Sequence, residues 1–128
     1  MDELSASMED YVKILYILKR RYGHVYSIDV ACETGYSKAS VSQAMMNLRK
    51  KKIIVMKEDG EIVFTKKGSR IAGELYEKYT ILCSFLQSVA GVDEKTARKD
   101  ACRMEHCLSD STYSGIKTYV DHVFLPKG

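Results

Sequence analysis

Apolar residues recur at Tyr11, Ile14, Leu15, Leu18 and Tyr22, the three-and-four spacing of a helix with one buried stripe. Ser5 or Ser7 can cap its start and Gly23 its end. A second, short helix is predicted over 28–33, with Ile28, Ala31 and Cys32 turned inward and Gly35 as its stop. Ser37 opens a third over 38–52, in which Val41, Ala44, Met45 and Leu48 form the buried side while Ser40, Ser42, Gln43, Asn47 and Arg49 face outward. The period then changes. Ile53, Ile54 and Val55 lie on one side of Glu58-Asp59-Gly60, and Ile62, Val63 and Phe64 on the other, which predicts a β-hairpin.

Helix, turn, helix and β-ribbon in that order make a winged helix-turn-helix, in which the third helix reads base edges in the major groove. Beyond it, Thr65 caps a long predicted helix over 66–90 with Ile71, Leu75, Tyr79, Leu82 and Leu86 along one stripe, ending at Gly91. Two more follow, over 93–108 and 111–124, before the only proline, Pro126. The expected fold is mainly α with a small β-wing: a winged helix-turn-helix DNA-binding domain over 1–65, then a helical dimerisation domain over 66–128. The later stripes are too apolar to stand alone, which points to a homodimer on a palindromic operator of double-stranded DNA.

Charge sharpens this picture. The net charge is +3, but residues 1–37 carry four bases and six acids, residues 38–70 nine bases and three acids, and residues 71–128 seven bases and eight acids. The excess thus lies in one stretch, where Lys50, Lys51, Lys52, Lys57, Lys66, Lys67 and Arg70 would flank the third helix and neutralise phosphates. At 128 residues, 45% hydrophobic and 29% charged, the chain is an ordinary globular protein of one domain or two small ones. No run of eighteen apolar residues suggests a membrane span, and the acidic start MDELSASMED does not resemble a signal peptide. A cytoplasmic protein is expected, with Cys32, Cys83, Cys102 and Cys107 as reduced thiols.

Cys102, Glu105 and His106 form C-x-x-E-H. On a helix this spacing places a thiol, a carboxylate and an imidazole on one face. Sulfur, nitrogen and oxygen donors together suit transition metals, whereas Ca(II) and Mg(II) want oxygen alone. By itself the trio also fits a buried small hydrophobe beside a solvated Glu-His pair. His24 and His122 have no such neighbours and read as surface residues, and Cys107, immediately after the trio and turned about 100° from His106, reads as core. An enzyme is disfavoured, because no glycine-rich anion cradle or oxyanion-hole motif accompanies the cluster.

The whole chain resembles the diphtheria toxin repressor family of metal-dependent repressors, which includes iron-dependent regulators and the manganese transport regulator. The likeness is carried by Ser7-Met8-Glu9-Asp10-Tyr11, Ser40-Val41-Ser42-Gln43, the segment from Leu86 to Val92, Ala101-Cys102-Arg103-Met104-Glu105-His106 and Leu108-Ser109-Asp110. It implies a repressor of metal-uptake genes in which one ion joins the first helix to the dimerisation domain, with Asp10, Cys102, Glu105 and His106 as ligands. Asp10 matches the manganese-type members and Cys102 the iron-type ones, so the set is a hybrid. Fe(II) ranks first and Mn(II) second, while Zn(II), Co(II) and Ni(II) also fit the donors.

The resemblance further places Tyr79, Cys83 and Arg98 at the family's ancillary metal site, with Lys13 where manganese-type members have another acid. Cations at two of these positions imply one metal per subunit, Arg98 or Lys13 bracing a carboxylate instead. Family DNA contacts fall on Ser37, Ser42 and Gln43. Reading the helix face adds Lys38, Ala39, Ser40, Asn47 and Lys50, with Gln43 the best base reader; Ala39 replaces a proline common in iron-type members. Longer members append an SH3-like domain, and a chain ending at Gly128 suits either a short two-domain member or part of a longer one. The competing reading is a metal-independent winged-helix regulator that senses an organic ligand or thiol redox state, for instance through Cys102 and Cys107.

Overall fold

The computed structural model describes residues 4–123. Phe124 and Pro126, the predicted end of the last helix and the proline after it, lie outside the described residues. The chain forms α1 (Ala6–Tyr22), α2 (Ser27–Thr34), α3 (Lys38–Lys50), β1 (Ile54–Met56), β2 (Ile62–Phe64), α4 (Lys66–Phe85), a π-helical turn (Leu86–Ala90), α5 (Glu94–Met104) and α6 (Asp110–Val123). It divides into two compact units between Glu74 and Leu75, within α4. None of the described helices is long and apolar enough to cross a membrane.

In the first unit Ser5 caps α1, its Oγ accepting the Met8 N–H at 3.2 Å. Helix α1 packs on α2 and α3, and α3 on β1. Val12, Leu15, Val30, Val41, Met45, Leu48, Ile53, Ile54 and Ile62 are all at most 1% exposed; burying each such aliphatic side chain is worth roughly 1.5–3 kcal/mol. The strands pair antiparallel, with Val55 opposite Val63. Helix α2 departs from expectation. It buries only Val30, whereas Ile28 is 50% exposed and Cys32 is exposed, since a helix of two turns offers its neighbours one narrow face. Gly35 ends it at φ 76°, a left-handed conformation that favours glycine. Tyr22, read as part of α1's stripe, is likewise exposed, while the charged Lys13 is buried.

Helix α3 stops at Lys50, two residues before its predicted end, and Lys52 adopts φ 61°. That turn sends the chain under the start of α4. The Thr65 hydroxyl lies 2.7 Å from the Lys52 carbonyl oxygen and 3.1 Å from that of Ile53, the Thr65 N–H donates to Ile53 O at 3.0 Å, and Thr65 Oγ1 accepts the Gly68 N–H at 3.0 Å. Thr65 therefore caps α4 as predicted and also ties it to the end of α3.

In the second unit Ile81, Leu82, Ala97, Ala101 and Val120 are buried, and α5 packs on the π turn. The π turn occupies the last five residues of the long helix expected through position 90. Lys117 on α6 pairs with Glu77 on α4 at 3.0 Å, and the Lys78 ammonium sits 5.5 Å from the Tyr113 ring centroid. The Tyr113 hydroxyl is buried without a hydrogen bond among the described residues. Burial, followed by the charges of Glu77 and Asp121, pushes its ionisation up to about 12.

Candidate metal centre and nucleic-acid interface

Asp93 caps α5 by accepting the Thr96 N–H at 2.8 Å. Hydrogen bonds from the Thr96 side chain and backbone hold the Asp93 carboxyl below its ordinary range. At the other end the helix was expected to run to Leu108 but finishes at Met104. Glu105 still donates to Ala101 O at 3.0 Å; then the pattern tightens, with His106 N–H donating to Arg103 O at 3.3 Å and Cys107 N–H to Met104 O at 3.0 Å. Ser109 begins the next helix, its Oγ accepting the Thr112 N–H. Cys102 thus lies in the last turn of α5, Glu105 closes it and His106 stands just beyond.

This exit leaves two of the three side chains close together. Glu105 is 3% exposed, and His106 Nε2 lies 3.8 Å from Glu105 Oε1. The half-buried Cys102 thiol is within electrostatic reach of the Tyr79 phenol, which also hydrogen-bonds Cys83. Tyr79 and Cys83 stand one turn apart on α4, and Arg98 and Cys102 one turn apart on α5. The Tyr79 hydroxyl is shifted strongly upward, first by burial and then by Cys83 and Cys102, with Arg98 opposing. Arg98 itself reaches Glu94, Nη2 to Oε2 at 2.6 Å. Cys107, expected in the core, is exposed, because the tightened turn swings it off the buried face of α5. His24 and His122 are exposed, as expected.

In the first unit, Asp10 and Lys13 stand one turn apart on α1 with Nζ 3.9 Å from Oδ1. Their side chains are unlike in setting: that of Lys13 is 5% exposed and that of Asp10 45%. The burial of Lys13 could not be read from periodicity, which treats lysine as polar.

Helix α3 presents an open face. Ser37 caps it, its Oγ accepting the Ser40 N–H at 3.1 Å and donating to Ser40 Oγ at 3.0 Å. Lys38, Ala39, Ser40, Ser42, Gln43 and Lys50 are exposed and Asn47 half-buried. Gln43 Nε2 donates to Asn47 Oδ1 at 3.2 Å. Two open grooves flank the helix. One, of about 520 Å³, is lined by Ser7, Tyr11, Ala39, Ser40, Gln43, Ala44 and Asn47; the other, of about 570 Å³, by Met46, Arg49, Lys50, Ile54, Val55 and Met56. Met46 and Val55, at 47% and 50% exposure, escaped the sequence reading of the DNA-facing surface; their signal was an apolar residue on a helix face and a strand face otherwise given to polar ones. Lys57, counted among the phosphate-binding bases, is paired with Glu61 at 3.4 Å on the wing.

Residues 65–124 match the family described as iron dependent repressor, metal binding and dimerisation domain. The chain is 32% identical over 103 residues to the HTH-type transcriptional regulator MntR of Listeria welshimeri, covering 80% of this chain and 72% of that protein. It is 30% identical over 112 residues to the transcriptional regulator MntR of Escherichia coli, covering 88% and 72%. The chain belongs to the diphtheria toxin repressor family. A solved structure of the manganese regulator SloR shares the fold of this family member, with a TM-score of 0.79 and 24% identity over 90% of this chain. The chain spans about half the length of that structure, 54%. Within the family's architecture, the winged helix-turn-helix and the mainly helical fold with, among the described residues, one two-stranded sheet are as the sequence predicted.

Proposed function

We propose that the chain is a metal-dependent, DNA-binding transcriptional regulator that represses metal-uptake genes, acting in the cytoplasm as a homodimer on a palindromic operator. The observation that carries this reading is the Glu105 carboxylate, kept out of water beside the His106 imidazole at the end of α5. A carboxylate so buried needs opposite charge and hydrogen bonds, and beside an imidazole it is a ready metal donor. With the thiol of Cys102 and the carboxylate of Asp10 the set is one sulfur, one nitrogen and two oxygens. That chemistry fits Fe(II) or Mn(II), one ion per subunit, and Zn(II), Co(II) or Ni(II) as substitutes.

When bound, the ion supplies the charge that lets a thiolate and two carboxylates share one shell. As a ligand, Asp10 would tie α1 to that ion. Because α1 packs directly on α3, a fixed α1 holds the recognition helices of a dimer at one separation, which two-fold operators select. On α3 the amide of Gln43 addresses an adenine edge, while Ser37, Lys38, Ser40, Ser42 and Lys50, with the backbone at Ala39, hold phosphates and Asn47 orients Gln43. The division into a DNA-binding domain over 1–65 and a metal-binding and dimerisation domain over 66–128 is part of the same proposal.

A second reading is favoured by the Tyr79 phenol lying within electrostatic reach of two thiols, Cys83 and Cys102: a metal-independent regulator that responds to thiol oxidation. Anaerobic binding to a palindrome from the protein's own promoter region, at fixed salt with Fe(II), Mn(II), Zn(II) or chelator, separates the two. Stimulation by one ion supports the metal reading. Equal binding in chelator moves the assignment to the second.

A further inference from the structure

We propose that Lys13 is a built-in competitor for the metal, a resident cation beside Asp10 that sets how much free metal is needed to occupy the site. This rests on Asp10 being a ligand. Lysine is almost never fully buried, and its long stem ordinarily carries the ammonium out to water. Here it does not. Lys13 is 4% exposed although it lies across α1 from the apolar stripe of Tyr11, Leu15 and Leu18, and its Nζ stands 3.9 Å from Asp10 Oδ1. The neighbouring carboxylate keeps a side chain 45% exposed, so it is open to an incoming ion while its partner is fixed within the fold.

The ammonium already answers part of the carboxylate's charge, and a divalent cation approaching Asp10 meets a like charge that the packing does not let swing away. Repulsion between charges this close is strong where water is scarce. Two effects follow. The occupied site requires more free metal than its four donors alone would dictate, and a second ion next to the first is disfavoured, because the space beside Asp10 already holds a cation. A lysine serving only to pack α1 would affect folding stability and leave metal affinity where it was.

The test is anaerobic calorimetric titration of the metal-free full chain with Mn(II) alone, repeated with Co(II) followed by its absorption. Wild type, Lys13→Met, Lys13→Gln, Lys13→Arg and Asp10→Asn are compared, each checked for a cooperative melt. The expectation is that Lys13→Met and Lys13→Gln each bind Mn(II) at least about tenfold more tightly, that Lys13→Arg stays near wild type, and that wild type binds one ion per chain. Unchanged or weaker affinity in both neutral variants, with Asp10→Asn weakening binding, overturns the competitor role and leaves the ligand reading standing. If Asp10→Asn has no effect, both fall.

Discussion

The backbone carbonyl of Ile53 closes directly over the α-carbon of Gly68, leaving no space in which a β-carbon could stand. Because the obstacle is backbone, relief requires moving either the first turn of α4 or the segment that leaves α3. Gly68→Ala is therefore expected to destabilise the first unit by roughly 1–3 kcal/mol, read as a lower urea midpoint with an unchanged slope. A neighbouring control, Gly73→Ala, meets nothing within 4 Å and should gain slightly from helix propensity. Equal losses in both variants would refute the close approach as the cause.

Loss of a metal donor should separate function from folding. Cys102→Ala and His106→Ala are expected to abolish metal-stimulated DNA binding while leaving the metal-free melt nearly unchanged, since neither side chain is a large apolar contributor to the core. Fluorescence anisotropy with labelled operator, in metal and in chelator, gives the readout. Persistent metal stimulation in either variant would remove that residue from the ligand set. Capture of the ion also displaces protons from thiol and imidazole, so apparent metal affinity should decline as the solution becomes more acidic.

On the DNA side, Gln43 and Lys50 should fail in different ways. Gln43→Ala is expected to cost about 1–3 kcal/mol of discrimination at one base pair while leaving the salt dependence alone. Lys50→Ala should weaken binding to all sequences and flatten the salt dependence by about 0.9 in log–log slope for each phosphate that is no longer neutralised. Binding isotherms at several salt concentrations, on matched and mismatched operators, distinguish them; a salt slope unchanged in Lys50→Ala would show that Lys50 neutralises no phosphate.

Alkali should destabilise the fold through Tyr113 in the second unit. Tyr113 ionises at about 12 in the fold against an ordinary value near 10. Below that ordinary value both folded and unfolded chains hold the proton, and the contribution is fully present. As pH rises from about 10 toward 12, the unfolded chain loses the proton first and stability falls. Tyr79, also shifted upward by burial, adds to the decline. Tyr113→Phe removes a buried hydroxyl that has no hydrogen bond among the described residues, so it should be well tolerated at neutral pH and should blunt the alkaline loss. Denaturation series between pH 8 and 11, in the absence of metal, would show it; identical alkaline slopes for the two proteins would contradict it.

The order of elements was legible because periodicity and punctuation agree: Ser5, Ser37 and Thr65 cap helices, and Gly23, Gly35 and Gly91 follow their ends. What periodicity could not supply was the depth of individual positions. Lys13 is polar by type yet buried, whereas Ile28, Cys32 and Tyr22 are apolar by type yet exposed, because those outcomes depend on which neighbour covers each turn. The end of α5 was misjudged for a related reason. Nothing in Glu105-His106-Cys107 forbids helix, and the stop comes from the tightened turn at Met104 and the cap at Ser109. That early stop separates His106 from the regular helix and exposes Cys107, so the spacing of the trio was readable while its shape was not.

The Gln43 to Asn47 hydrogen bond bears on the proposed contact with DNA. That bond uses one donor of the Gln43 amide and leaves its carbonyl oxygen facing solvent. Only an edge that offers both an acceptor and a donor can draw the Gln43 amide away from its partner. On the proposed reading, Gln43 has to exchange its contact with Asn47 for a base edge, so Asn47→Ala is expected to change how sharply matched and mismatched operators are told apart.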